Sequence, residues 1–488
     1  MNNQPRNGTL PTRSPQNSDI DQFENTSIRQ LTVTPDRLPA AHKLTREDVI
    51  TLALRLAATN QNTSHDAYRS KGKHYIDTDI YGIRIESDTR SGAIARTTCA
   101  KFWRTALERK VNLARLDFEA KHKLVGGPDE DCTEIYSSNA TVEWMRAKTE
   151  ASNLALSKMT VHNTITGESF SMLDVANASY TNRFNELYSF TKNFEAMAGE
   201  NGMVWIFGTA TALPEFHPNP SNPNSKCTYN PELGLKASHL YISRAWQQIR
   251  ALLSKRGIRA SPTTYFGART VEVHKDGCIH WHFLIFIKQD LIKLFTEICE
   301  RKFPLPGQIK IVLGDDKKGK ASSYIFKYLM KEFDTNTLDR NIRDRLTALD
   351  SQHDEQREEM DLASIQHSER VRAAIRAMNI KQYQPIGVLR VTTLLRKINK
   401  LDLADMADDN HSVLGFIRKH VWRNPLGLKN LLEKPEYFSP NTEQTPTIML
   451  IKESVLSRYG EDRERVIGIE IDGQRFISKG TFIIKKHR

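Results

Sequence analysis

The chain has 488 residues, 39% of them apolar, and a formal net charge of +12; its mean hydropathy is −0.53. That length allows two to four domains. No apolar run approaches the ~18 residues that span a bilayer, and the first residues lack a charged-then-apolar signal pattern, so neither membrane insertion nor secretion is expected. The basic excess suits a polyanionic partner without singling one out, and five scattered cysteines with no Cys-x-x-Cys pair argue for a reducing cytoplasm over a disulfide framework or a cysteine zinc site.

Residues 1–42, rich in Asn, Pro, Ser, Thr and Gln, are expected to form a disordered tail. Thr45 then caps a helix with Glu47 and Asp48 in its first turn and Val49, Leu52, Leu54, Leu56 and Ala57 as an approximate stripe. A basic amphipathic helix follows over 101–122. Trp103, Leu107, Val111, Ala114 and Phe118 recur at spacings of three or four, and Arg104, Arg109, Lys110 and Arg115 lie off that stripe. Those cations read either as the solvated face of a bundle helix or as a surface for duplex or origin DNA. Phe184 to Ala198 reads as another helix, ended by Gly199 and Gly202. Residues 43–199 thus read as a mainly helical region with a possible role in DNA binding.

The pattern changes at residue 200. Val204–Thr211 reads as a strand, 214–231 as a loop rich in Pro and Asn, and 238–255 as a helix around Tyr241, Ile242, Ala245, Trp246, Ile249 and Leu253. Two strands flank Lys275-Asp276-Gly277; a helix over 289–301, a strand over 308–313 and a helical segment over 321–331 follow. Hairpin-paired strands interspersed with helices predict an α+β domain over 200–335 built on a central antiparallel sheet. Trp205, Tyr265 and Phe266 have the composition to stack bases, but core packing is the simpler role. The charged stretch 336–375 reads as an exposed helical arm or insertion and 376–435 as a small helical region. Residues 436–488 read as a linker and a hairpin in which Val466–Ile471 and Arg475–Ile477 flank the turn pair Asp472-Gly473.

Inside the first hairpin stands His280-Trp281-His282. Residues i and i+2 of a strand share a face, so both imidazoles reach one divalent metal. Taken alone, the triplet is better explained as a pair of satisfied histidines on a half-buried strand. Register decides what joins them. A three-residue loop, Lys275-Asp276-Gly277 with Gly277 in the left-handed conformation, pairs His274 with Cys278 and sets Glu272 across from His280, on the histidine face. A two-residue Asp276-Gly277 loop puts Glu272 on the other face. Two imidazoles and a carboxylate with open positions suit Mg²⁺ or Mn²⁺ used with a phosphate ligand, imidazole favouring Mn²⁺. His274 shares the face and is a candidate fourth ligand, supporting group or plain turn residue.

Tyr324 and Tyr328 are i and i+4 on one helical face, a pattern that core packing also produces. A phenol with a pKa near 10 needs help to attack phosphorus, and a metal that polarises a phosphate supplies it. Lys327 adjoins the pair and can stabilise phenolate or phosphate; Lys331, one turn on, is a candidate DNA contact. Paired histidines with paired tyrosines point to metal-assisted cleavage of a nucleic-acid strand through a covalent phosphotyrosine.

In this combination the chain resembles the HUH endonucleases that initiate rolling-circle replication, and more closely the replication gene A proteins of temperate tailed bacteriophages and their prophages. Three motifs stand in the family's order: Phe207-Gly-Thr-Ala-Thr211 with Pro214 and Phe216-His217, then Glu272 to His282, then Tyr324-Ile-Phe-Lys-Tyr328. Weaker matches at Phe102-Trp103-Arg104, Lys123–Gly126, Ser169–Ala178 and Ile380–Gly387 extend the likeness over roughly residues 95–400. Gly208 and Ala210 depart from the bulkier apolar residues usual in the first motif, and Ala212 and Leu213 from its continuation. The resemblance implies an HUH fold flanked by a helical N-terminal region and a C-terminal helical and hairpin region. It implies His280 and His282 as metal ligands, with Glu272 at a matching acidic position, Tyr324 and Tyr328 as nucleophiles, and Thr209 and Thr211 lining the site. The implied activity is a site- and strand-specific nickase acting in the bacterial host cytoplasm on single-stranded or extruded origin DNA. With no Gly-Lys-Ser/Thr nucleotide loop in the sequence, a host helicase and a host DNA polymerase are the implied partners. The alternatives are an HUH transposase or mobilising relaxase and, in a different class, a non-catalytic origin-binding initiator.

Overall fold

A computed structural model of the protein describes residues 38–127, 134–164, 167–222, 226–315, 320–321, 368–388, 448–471, 474–477 and 482–486. It is a mixed α+β structure with antiparallel sheets and helices. The chain divides into two compact units, one containing residues 44–107 and the other residues 41–43 and everything from 108 onward. The disordered tail expected at the N-terminus lies outside the described residues up to residue 37.

The first unit opens with α1 (Arg46–Thr59). Its cap is Thr45, whose side chain accepts from the Asp48 amide while the Asp48 carboxylate accepts from the Thr45 amide, a reciprocal capping box. Val49, Leu52, Ala53, Leu56 and Ala57 are its buried side. A three-stranded antiparallel sheet follows, β1 (Tyr68–Ser70), β2 (Lys73–Asp77) and β3 (Arg84–Ser87), and then α2 (Arg90–Thr97), capped by Thr89. This sheet, with two short strands further on, adds strands that the expectation of a mainly helical region over 43–199 did not include. Three short, half-exposed strands leave little hydrophobic alternation to read. The basic helix is α3 (Ala100–Lys121). Trp103, Leu107 and Val111 are buried as the stripe predicts, but Phe118 is exposed and stacks on His42. Arg115, expected off the stripe, lies over the Trp144 ring at 4.4 Å.

In the second unit α4 (Asn139–Ser157) leads into β4 (Met159–Asn163) and β5 (Ser169–Ser171), and β14 (Phe482–Lys486) adds to β4 from the far end of the chain. The helix expected from Phe184 begins earlier, as α5 (Met172–Glu200), because the Ser171 hydroxyl caps it by accepting from the Leu173 amide. The main sheet is five-stranded and antiparallel, built from β6 (Val204–Thr211), β7 (Tyr265–Val273), β8 (Ile279–Ile287), β9 (Ile309–Leu313) and β10 (Tyr383–Ile386) in the order β10-β7-β8-β6-β9. On one face α6 (Ala237–Lys255) and α7 (Ile292–Lys302) cover the odd-numbered residues of β8, where Trp281, Phe283 and Ile285 join Ile242, Trp246, Ile249, Phe295 and Ile298 in a single core. The Trp246 and Phe283 rings are 5.4 Å apart there.

Two sequence boundaries are corrected. The sheet does not end at residue 335, since β10 joins it beside β7. The charged arm expected to residue 375, and the helical region expected from 376, are in part replaced by α8 (Ser368–Met378), whose Val371, Ala374, Ile375 and Met378 lie in the core. Residues 322–367 and 389–447 lie outside the described residues. At the C-terminus β11 (Ile448–Leu456), β12 (Asp462–Ile471) and β13 (Gln474–Ile477) form an antiparallel sheet in which Ile471 faces Gln474, so the hairpin around Asp472-Gly473 stands. Trp205, Tyr265 and Phe266 are buried core residues. Among the described residues no helix is long and apolar enough to cross a membrane, and Cys99, Cys227, Cys278 and Cys299 are free thiols.

Candidate metal centre

The β7–β8 connection is the three-residue loop. The His274 amide donates to the Cys278 carbonyl at 2.7 Å, the Gly277 amide donates to the His274 carbonyl at 2.8 Å, and Gly277 has φ +86°, a conformation that costs a residue without Cβ almost nothing. Register follows from it. Glu272 faces His280 and Thr270 faces His282 across β7, while Thr211 faces His280 and Thr209 faces His282 across β6. The even-numbered face of β8 is divided along its length. Its apolar end packs on aromatic neighbours, with Phe286 stacked on Phe266 and Phe266 edge-on to Phe194 of α5. Its other end carries the two histidines.

Three donor atoms converge at that polar end. His280 Nε2 and Glu272 Oε2 are 2.9 Å apart, His282 Nε2 and Glu272 Oε2 2.6 Å, and the two Nε2 atoms 2.9 Å. Two Nε2–H groups donating to one carboxylate oxygen bring their nitrogens within 2.9 Å of each other, a crowding that no hydrogen bond between the rings relieves while both carry a proton there. The spacing instead suits a shared cation: neighbouring donors of an octahedral ion with bonds of roughly 2.0–2.1 Å stand about 2.9 Å apart. Burial works to raise the Glu272 carboxyl, but hydrogen bonds from His280 and His282, with their charge, outweigh it and hold the group well below the usual carboxylate range. The donor set therefore fits a divalent ion of the Mg²⁺ or Mn²⁺ type.

The side chains around the three orient them. Thr209 Oγ1 lies 3.0 Å from His282 Nδ1, and the Phe207 ring stacks on the His282 imidazole at 5.5 Å. His282 thus presents Nε2, and not Nδ1, to the point where the three donors converge. His274 is not one of the converging donors. Its ring meets His280 edge-on with centroids 4.1 Å apart, and burial, with the nearby His280 and His217, pushes its pKa well down. Thr211 lies beside His280 by register, and Lys310 of β9, opposite Thr209, extends the same row to the sheet edge. Tyr324, Tyr328, Lys327 and Lys331 lie outside the described residues.

The pairing of His217 with Asp276, Nδ1 to Oδ2 at 3.0 Å, has no counterpart in the sequence reading. The two are 59 residues apart, and only the packing of the first-motif loop on the hairpin turn brings them together. Gly208, a departure from the family's first motif, also finds its reason here: a Cβ at that position would stand 2.0 Å from the Phe283 ring. The aromatic ring fills the volume that a larger side chain on β6 would occupy.

Comparison with known proteins adds identity to this geometry. A family model described as bacteriophage replication gene A protein (GPA) matches residues 19–390. The chain is 28% identical over 405 residues to the "Replication protein" of Haemophilus phage HP1, covering 79% of this chain and 47% of that protein. It is 26% identical over 428 residues to the "Probable replication protein P12" of Pseudoalteromonas phage PM2, covering 84% and 60%. It is also 28% identical over 269 residues to a "Probable replication endonuclease from prophage-like region" of Salmonella paratyphi A, covering 51% and 32%. The chain thus spans from about a third to three fifths of the length of these relatives. No solved structure matches it.

Proposed function

Because the chain belongs to the bacteriophage replication gene A protein family, we propose that it is a site- and strand-specific DNA endonuclease that starts rolling-circle replication of a phage or prophage genome. The observation that carries the reading is the convergence of Glu272, His280 and His282 on one point of an antiparallel sheet, the arrangement expected of an HUH nuclease. Relatives named as probable replication endonucleases support the same activity. A bound Mg²⁺ or Mn²⁺ would supply charge to offset that of the transition state and polarise the scissile phosphate.

The remaining roles fall to side chains. Glu272, His280 and His282 would hold the ion, and Thr209 would keep His282 in the ligating tautomer. Tyr324 or Tyr328 would attack the phosphorus, forming a tyrosyl O–P bond as the P–O3′ bond breaks. The phenolic proton leaves the tyrosine and the departing 3′ oxygen is protonated, so one 3′-OH and one 5′-phosphotyrosine result with no nucleotide consumed. Lys327 would stabilise the developing phenolate, and Thr211 and Lys331 would contact the strand. The free 3′-OH would prime a host polymerase behind a host helicase, and the second tyrosine would carry the reverse transfer that ends a round.

The test is incubation of candidate origin single strands with Mn²⁺ or Mg²⁺. The reading expects a discrete nick that EDTA abolishes and that Glu272→Ala and His282→Ala remove. Intact strands across a broad set of phage and prophage origins would instead favour a non-catalytic origin-binding protein.

A further inference from the structure

Beside the triad, where β6 ends, lies a cleft of ≈ 270 Å³. Thr211 lines it on the side of His280, and its other walls include His217, Lys226, Leu305, Pro306 and Gln308. Two segments far apart in sequence build it. The Gln308 carbonyl accepts from the Thr211 amide at 2.8 Å, and the Gln308 side chain ties Leu305 to Tyr241 by accepting from the Leu305 amide at 3.2 Å and donating to the Tyr241 hydroxyl at 2.8 Å. The apolar wall of Leu305 and Pro306 is therefore held in place.

Three polar groups of the cleft, on His217, Lys226 and Thr211, are placed but unused. Asp276, with a side chain only 2% exposed, holds His217 Nδ1 at 3.0 Å while its other oxygen accepts from the Cys278 amide at 3.1 Å. A buried carboxylate fixes the imidazole from behind, and His217 Nε2 has no partner among the described residues. Neither the Lys226 ammonium nor the Thr211 hydroxyl has one among those residues, and no acidic residue among them lines the cleft. The volume is just under the roughly 300 Å³ at which sites for drug-sized ligands begin, which suits one nucleotide. An apolar wall, a cation and an oriented imidazole lining one cleft are groups that can receive a base and its phosphate.

We propose that this cleft is a nucleotide subsite: it takes one nucleotide of the single-stranded substrate next to the phosphate held at the triad. The base lies against Leu305 and Pro306, Lys226 meets the phosphate, and His217 Nε2 makes the hydrogen bond that discriminates among bases. This rests on the reading of the chain as a single-strand DNA endonuclease. It gives His217 and Asp276, which sit in the first and second motifs, a role that the triad leaves open.

The experiment uses the full chain in EDTA, where no strand is cut, and a randomised single-stranded oligonucleotide bearing 5-iododeoxyuridine. Photocross-linking followed by peptide mapping is expected to mark His217 or its cleft neighbours. Anisotropy titrations across salt are expected to show that Lys226→Ala lowers the slope of log K against log salt by about 0.7, the loss of one phosphate contact on a single strand. Cross-links confined to residues outside 211–226 and 305–308, or an unchanged slope in Lys226→Ala, overturns the subsite. A wild-type protein that nicks DNA but fails either readout loses the subsite and keeps the nickase; one that passes both but never nicks loses the nickase alone.

Discussion

Thr209→Val removes one oxygen from the site and almost nothing else. Valine keeps the branched shape that β6 favours, and the main-chain pairing of Thr209 with His282 and Lys310 is untouched. What disappears is the 3.0 Å contact between Oγ1 and His282 Nδ1. When Nε2 binds an ion, Nδ1 must carry the proton, and in the variant that buried N–H loses Thr209 Oγ1 as its acceptor. Leaving a buried donor unsatisfied costs about 1–3 kcal/mol. In the metal-free protein His282 can turn its proton toward Glu272 instead, so most of the cost falls on the bound state. Converted at about 1.4 kcal/mol per factor of ten, the variant should bind Mn²⁺ roughly 10- to 100-fold more weakly, the range typical of lost outer partners of a ligating histidine. Calorimetric titration of metal-free protein with Mn²⁺, beside a thermal melt showing an unchanged fold, measures it. Affinity within twofold of the parent would refute the assignment of Thr209 as the partner that sets the His282 tautomer.

Glu272→Gln keeps the volume but removes the anion on which both imidazoles converge, so Mn²⁺ affinity should fall by more than in Thr209→Val; equal or weaker loss on titration would show that Glu272 is not a ligand. Gly208→Val drives a side chain into the Phe283 ring and should destabilise the unit by about 1–3 kcal/mol, read as a lower denaturant midpoint at unchanged slope. His239 accepts from Trp281 Nε1 at 3.1 Å, and burial, with Arg269 and Lys236, pushes its pKa down to about 4. The unfolded chain therefore takes up this proton first as pH falls below 6.5, so the contribution is complete above 6.5 and lost progressively toward 4. It should reach about 3 kcal/mol at most, and a His239→Phe variant should show a shallower loss of stability over that window; parallel curves would contradict the assignment.

The part of the site legible in the sequence was the part governed by local rules. A period of two put His280 and His282 on one face, and a glycine in a three-residue turn brought Glu272 to the same face. The α6 stripe was equally local, its apolar residues recurring once per turn. What escaped depends on contacts between distant segments. β10 pairs with β7 across more than a hundred residues and contains Pro385, which argues against a strand unless the strand lies at an edge, as this one does. The His217–Asp276 pair required knowing that the first-motif loop folds onto the hairpin turn. The early start of α5 turned on a single serine cap in a stretch of small polar residues.

The central claim is a covalent chemistry, and its most direct measurement is the mass of the protein–DNA linkage. After reaction of a nicked origin strand in Mn²⁺, proteolysis and mass spectrometry should find the DNA 5′ phosphate joined to Tyr324 or Tyr328. The adduct should be absent in EDTA and in the double variant Tyr324→Phe with Tyr328→Phe. A nick with no protein attached, or an adduct on any other residue, would contradict the account.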